Sequence, residues 1–263
     1  MTPLELLSPV RMDHVPDGIE SRAQSLLAGQ WVAPHVHLWP QVIYVTAGSL
    51  RVTDDARRHV VRAGTAVWLP AGVQQTFGTA VGAQLHSLCL QGDALPNMPS
   101  MPTVLDVSSS LRTLILDLGR CAAKACPHDG LKRTKTLALA QLAMSNTLDT
   151  SLPWPAHPTL SRLCDRLYED SAETKGIEAW SKLVGLTGRG LAERFAAETG
   201  MAPNEWRHRV RVFRGMEWLA EGRSLSAVAG DLGFGSPSAF AHMFRLATES
   251  SPSAWARGAG EHS

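Results

Sequence analysis

The sequence has no long apolar run. None approaches the ~18 residues that a helical membrane crossing takes. Its first fifteen residues lack a charged stretch followed by a sustained apolar core. Neither a membrane span nor a secretory leader is expected, and the expected location is the cytoplasm. Charge of one sign is also scarce. Lys and Arg number 25 against 24 Asp and Glu, a net of +1, so any affinity for a polyanion must come from a local patch. Even from residue 175 onward, eleven basic residues face nine acidic ones. Cysteines number four, Cys89, Cys121, Cys126 and Cys164, with no CxxC pair. Cys121 and Cys126 lie five apart, off a common helix face. Scattered cysteines of this kind are expected to be small core hydrophobes rather than redox sensors. No Ser/His/Asp or Cys/His nucleophile pattern and no Gly-rich phosphate loop is present, which removes those enzyme classes.

What is present is a globular composition, 44% hydrophobic and 19% charged over 263 residues. That length suits one large or two ordinary domains. Residues 177–206 and 225–255 carry one unit twice. Ile177, Trp180, Val184 and Gly185 match Leu225, Val228, Leu232 and Gly233 at an offset of 48. After a turn one residue longer, Thr187, Leu191, Phe195, Pro203 and Trp206 match Ser236, Phe240, Phe244, Pro252 and Trp255 at an offset of 49. In each copy apolar residues recur at helical spacing, a Gly ends the helix, and Thr187 or Ser236 is positioned to cap the next one. Pro237 falls at a first helical position, where its missing N–H costs nothing. This is the grammar of a helix-turn-helix, whose second helix enters a major groove. Residues 204–222 form one long apolar-faced helix between the copies, with Gly222 as its stop. At 1.5 Å per residue it is roughly 25 Å long, a spacer suited to two reading heads about one DNA turn apart.

Residues 159–257 resemble the DNA-binding domain of the AraC/XylS family of transcription regulators. The segments "ETGMAPNEWR", "RVFRGMEWLAEGRS", "VAGDLGFGSPSAF" and "SPSAW" fall in the family's order and spacing. The resemblance implies double-stranded promoter or operator DNA as partner and RNA polymerase as a further one. The residues expected near DNA are Arg189, Arg194, Ser236, Ser238, His242 and Arg245. Where the family often has a DNA-contacting Arg, this chain has Glu193 in the first unit and His242 in the second. Where a second copy of Gly200 is expected, it has Glu249. Gly188 and Gly190 in the first reading helix lower helix propensity by about 1 kcal/mol each if interior. Arg207, Arg209, Arg211 and Arg214 on the connecting helix read as a mostly solvated face.

Residues 31–90 change texture. "QVIYVTAG", "SLRVTD", "RHVVRAG", "TAVWLP" and "QLHSLCL" are short, β-rich and punctuated by Gly and Pro, which reads as an antiparallel barrel or sandwich. Gly29, His35, His37, Gln41 and Gly48, then Gly64, Pro70, Gly72, Gln75 and Thr79, keep spacings that resemble the two cupin motifs. Gln41 and Gln75 stand where that family has a Glu and a metal-binding His. His35 and His37 are two apart and share a strand face. Three readings stay open. The two His hold a divalent metal such as zinc or nickel, with His14, His59 or His86 as further ligands. Alternatively, His35, His37, Gln41 and Gln75 line a polar pocket for a small organic effector, or these residues are satisfied within the barrel.

After the Pro-rich residues 96–102, two helices are expected, 109–126 and 131–148, which either make a dimer contact or pack on the barrel. The expected architecture is α+β and multidomain: a cupin-like effector-sensing barrel (1–100), a helical linker and dimerisation region (101–158), and an all-α domain with two helix-turn-helix units (159–258). The expected function is a sequence-specific, effector-sensing transcription regulator, a homodimer and not an enzyme. Two alternatives are a cupin metalloenzyme fused to a DNA-binding domain, and a degenerate regulator that acts through protein contacts.

Overall fold

The structure, a computed structural model, describes residues 5–9, 18–92, 94–123 and 128–257. The chain divides into two compact units. One comprises the described residues up to 54 and from 59 to 149; the other comprises 55–58 and 150–257.

The first unit holds strands β1 (Glu5–Leu7), β2 (Ile19–Leu26), β3 (Gln30–Val36), β4 (Gln41–Asp54), β5 (Arg57–Arg62, which begins in residues grouped with the other unit), β6 (Thr65–Leu69), β7 (Gln74–Gly78), β8 (Ala83–Leu90) and β9 (Thr103–Asp106). Helices α1 (Ser109–Ala123) and α2 (His128–Ala143) follow, then the short β10 (Thr147–Leu148). One layer runs β1-β3-β7-β4 and the other β2-β8-β4-β6-β9-β10. β4 belongs to both. Its start pairs with β6 and β8, and its end pairs with β7.

The segments "QVIYVTAG" and "SLRVTD", expected as separate strands, are thus one continuous strand. The ladder with β8 shifts between Val45 and Ala47, and Gly48 follows at φ 75°. A Cβ there would lie 2.0 Å from the Gly82 carbonyl oxygen, so only glycine lets β4 cross between layers. Along β4, alternate residues face opposite ways. Ile43, Val45, Leu50 and Val52 point between the layers, with Val32, Val67, Phe77 and Leu85. Val42 and Tyr44 point outward onto Leu111, Ile115 and Leu118 of α1 and Ala138 and Leu142 of α2. Covered on both faces, this strand reads as a run of apolar residues instead of an alternation. The helix pair therefore shares a core with the sheet. α2 stops at Ala143, short of the expected 148, because Thr147 and Leu148 pair with β9.

The second unit begins with β11 (Ser151–Pro153) and contains α3 (Pro158–Glu169), α4 (Ile177–Val184), α5 (Gly188–Thr199), α6 (Pro203–Ala220), α7 (Leu225–Asp231), α8 (Pro237–Thr248) and α9 (Pro252–Arg257). The duplication is visible in detail. Gly185 and Gly233 take positive φ, 69° and 72°, after α4 and α7. Thr187 Oγ1 accepts from the Gly190 N–H and Ser236 Oγ from the Ala239 N–H, capping α5 and α8. Trp206 donates its indole N–H to the Pro153 carbonyl, and Trp255 donates to that of Met216. Phe195 packs edge-on to Trp206, as Phe244 does to Trp255.

α6 is 18 residues long, about 27 Å, and packs against α3, α5, α7, α8 and α9. Its arginines are not a solvated face as expected. Arg207 donates to the Thr174 and Lys175 carbonyls, Arg209 to that of Ser151 and Arg211 to that of Ser171. Arg214 pairs with buried Glu217, which also accepts from the Tyr168 hydroxyl. Among the described residues no helix is long and apolar enough to cross a membrane.

Candidate functional site

Two places carry chemistry, one in each unit. In the second unit the burial of α5 and α8 fixes which faces are available. Leu191 and Phe195 are buried on α5, and Phe240 and Phe244 on α8. At 100° per residue the opposite face of α5 presents Arg189, Glu193, Ala196 and Ala197, all exposed. The matching face of α8 presents Ser238, Ala239, His242, Arg245 and Leu246, also exposed. Arg194 is exposed on the flank of α5, and Ser236 is exposed at the N-cap of α8. All six residues expected near DNA therefore reach solvent.

Glu193, which stands where the family often has an Arg, is paired within its own helix. Its Oε1 accepts from Arg189 Nε at 2.7 Å, a pair spaced i,i+4 with 89% and 64% of the two side chains exposed. The burden expected from two interior glycines is also absent. Gly188 and Gly190 occupy the first turn of α5, after the Thr187 cap. Leu246, 74% exposed, adds an apolar group to the α8 face; sequence reasoning passed over it because an outward Leu has no signature in a periodic pattern.

In the first unit, a cleft is lined by Arg22, Gln24, Val32, His35, His37, Gln41, Phe77, Ser87 and Cys89, enclosing about 450 Å³ including space open to solvent. Three of the four residues expected to hold an effector line it. Gln75, the fourth, is buried beside it as the cross-strand partner of His35. The rings of His35 and His37 lie edge to face, 4.7 Å apart, and His37 stacks on Trp39.

The Nδ1 of His35 lies 2.7 Å from the Ala33 carbonyl. A carbonyl only accepts, so Nδ1 carries a proton there. Burial first, and the neighbouring His35 second, lower the His37 pKa to about 4, against a smaller opposing contribution from Gln41. His37 is therefore neutral near pH 7. Gln41 is 7% exposed, and its side chain lies within reach of the His37 ring. Burial also pushes the Cys89 thiol up to about 11, keeping it protonated.

This donor set does not fit a resident metal. It offers two imidazoles and a neutral amide where transition metals favour a third imidazole or a carboxylate, and it adds the Arg22 guanidinium. Among the described residues no three His, Cys, Asp or Glu side chains group as ligands. His59 is paired with Asp54 at 3.0 Å and buried. His86 packs under α1, where a Cβ on Gly119 would lie 2.6 Å from its Nδ1. His14, the remaining histidine considered as a ligand, lies outside the described residues, as does Cys126. Cys89 and Cys164 are buried free thiols, as expected. Cys121 is not, being disulfide-bonded.

The fold and these two sites define a ligand-binding β domain followed by paired helix-turn-helix heads. Residues 26–179 match the family model described as AraC-like ligand binding domain, and residues 180–258 match a helix-turn-helix domain. The chain belongs to the AraC family of transcriptional regulators. It is similar to the HTH-type transcriptional regulator NimR of Escherichia coli, 25% identical over 218 residues, covering 83% of this chain and 80% of that protein. RipA of Corynebacterium glutamicum is 30% identical over 106 residues, 40% of this chain and 32% of that one. Among solved structures, fatty-acid-bound ToxT from Vibrio cholerae covers 93% of this chain and 97% of its own, with 11% identity and a TM-score of 0.39. The DNA-binding domain of AdpA in complex with a target DNA is 30% identical over 37% of this chain and 88% of its own, with a TM-score of 0.34. The chain is thus a transcriptional regulator with an N-terminal ligand-binding domain and a C-terminal DNA-binding domain.

Proposed function

We propose that a small organic effector, not a metal ion, is sensed at His35, His37 and Gln41, and that its binding shifts the population of forms competent for promoter DNA. The observation that carries this reading is an open cleft in which His35 and His37 lie 4.7 Å apart beside the buried Gln41 side chain, with no third His, Cys, Asp or Glu grouped with them among the described residues. These groups suit an uncharged or anionic molecule that brings its own N–H or O–H. Gln75 supports the site from beneath His35. On the DNA side, Arg189, Arg194, Ser236, Ser238, His242 and Arg245 make the contacts, and the regulator meets RNA polymerase at the promoter. Among the described residues no third ligand joins His35 and His37, so nothing in this cleft supports the metalloenzyme reading.

The division of labour is sensing by 1–100, joining and dimer contact by 101–158, and DNA reading by 159–258. A homodimer joined through 101–158 is checked by sedimentation equilibrium of the purified chain, and a monomer at all concentrations removes it. The effector site is tested by screening small molecules for thermal stabilisation, then following DNA binding with and without the hit. His35→Ala with His37→Ala should abolish the response and leave basal DNA binding intact. A surviving response would show that the cleft is misassigned.

A further inference from the structure

On the outward face of α5, Arg189 and Glu193 stand with the small residues Gly190 and Ala197, and Ala196 and the exposed Arg194 lie on its two flanks. The helix can therefore sit deep in a groove with Arg189 and Glu193 at the centre of the face it presents. The pair is already formed, through Arg189 Nε and Glu193 Oε1. A guanidinium has five N–H donors. Using Nε leaves both terminal nitrogens for the two-point contact with guanine O6 and N7, the commonest specific contact in DNA. Glu193 keeps its second oxygen, which accepts from cytosine N4. Arg189 is the second residue of α5, at the end of a recognition helix that meets base edges. The corresponding face of α8 has no acid within the helix and carries His242 and Arg245 instead.

We propose that the Arg189–Glu193 pair is the specificity element of the first head, with Arg189 reading a guanine and Glu193 a cytosine next to it. This rests on the DNA-binding reading above. Glu193 acts in two ways. It holds the guanidinium pointing outward, and it penalises every register in which a phosphate or a base acceptor faces the carboxylate. A lone Arg189 would settle on the nearest phosphate; the paired one gains only where cytosine meets the acid. The first head thus contributes discrimination, and the second head, with Arg245 and no competing acid on its helix, contributes more of the general attraction to DNA.

The test is selection of duplexes from a random pool by the full-length protein, followed by anisotropy titrations of the selected duplex and of unselected DNA. The expected wild-type result is a motif containing adjacent G and C, with a C-to-T change weakening binding roughly 10- to 100-fold. Glu193→Ala is expected to reduce that discrimination to under about threefold. It should also bind unselected DNA more tightly, with a log-log salt slope steeper by about one. Glu193→Gln should move the preference from C towards A, because an amide both donates and accepts. Both residues are exposed, so neither variant threatens the core. If Glu193→Ala keeps the preference for C, or binds unselected DNA more weakly, the inference is overturned while DNA reading stands. If the wild type selects no motif, the DNA-binding reading fails and this inference with it.

Discussion

Glu249 is the non-glycine residue with positive φ among those described, at 56°. It ends α8 where Gly200, at 72°, ends α5. A side chain in the left-handed region costs about 1–2 kcal/mol, and glycine returns part of that gain through its freer unfolded chain. Glu249→Gly should therefore raise stability by about 1 kcal/mol, read as a higher urea midpoint at unchanged slope. No gain would mean that the cap is not strained. His37 makes a prediction of opposite sense. Its folded pKa, about 4, lies below the 6.5 of an unperturbed histidine. Below pH 6.5 the unfolded chain takes up a proton that the folded cleft refuses, so stability falls as the pH drops from about 6.5 to about 4 and the effect is complete below that. His37→Asn should flatten this part of the stability profile in urea titrations at stepped pH. An unchanged profile would place the proton uptake elsewhere.

At the scale of elements, α6 carries the second unit. Gly215 sits in its middle, where helix propensity alone disfavours glycine. A Cβ there would lie 2.5 Å from Cζ of Phe240, which is fully buried and cannot retreat. Gly215→Ala should cost about 2 kcal/mol by overpacking, seen as a lower melting temperature with the helix content retained; a neutral result would mean that α8 can shift outward. This glycine was not legible in the sequence because its role belongs to a contact 25 residues away. The α6 arginines were misread for the same reason: a charged residue on a helix looks solvated until its carbonyl partners are known. By contrast, the helix ends at Thr187, Ser236, Gly185 and Pro237 were legible, because capping and φ preference act within four residues. In the first unit the two-His spacing was legible as a pair of neighbouring rings, although β3 ends at Val36 and His37 follows it. The burial of Gln41 and the lowered His37 pKa were not, since both depend on what folding brings together. The merging of two expected strands into β4 came from Gly48, which looked like a turn but bends a continuous strand.

For the whole molecule, a net charge of +1 gives little general attraction to a polyanion, so the proposed DNA reading places that attraction on a few side chains of α5 and α8. The salt dependence of binding therefore reports how many phosphates they meet, since each neutralised phosphate adds about 0.9 to the log-log slope. The small charge also predicts weak non-specific binding, so specificity should survive at salt concentrations where general attraction is lost. The measurement that tests this account most directly is fluorescence anisotropy of the purified protein on DNA from upstream of its own and neighbouring genes, titrated with salt. The account predicts at least one site bound more tightly than unrelated duplex, with affinity falling linearly on the log-log plot, and no change on adding chelator, zinc or nickel. Equal binding to every duplex at every salt concentration would contradict the DNA-reading role of α5 and α8. A site that appears only with zinc or nickel would contradict the organic-effector reading of the His35–His37 cleft.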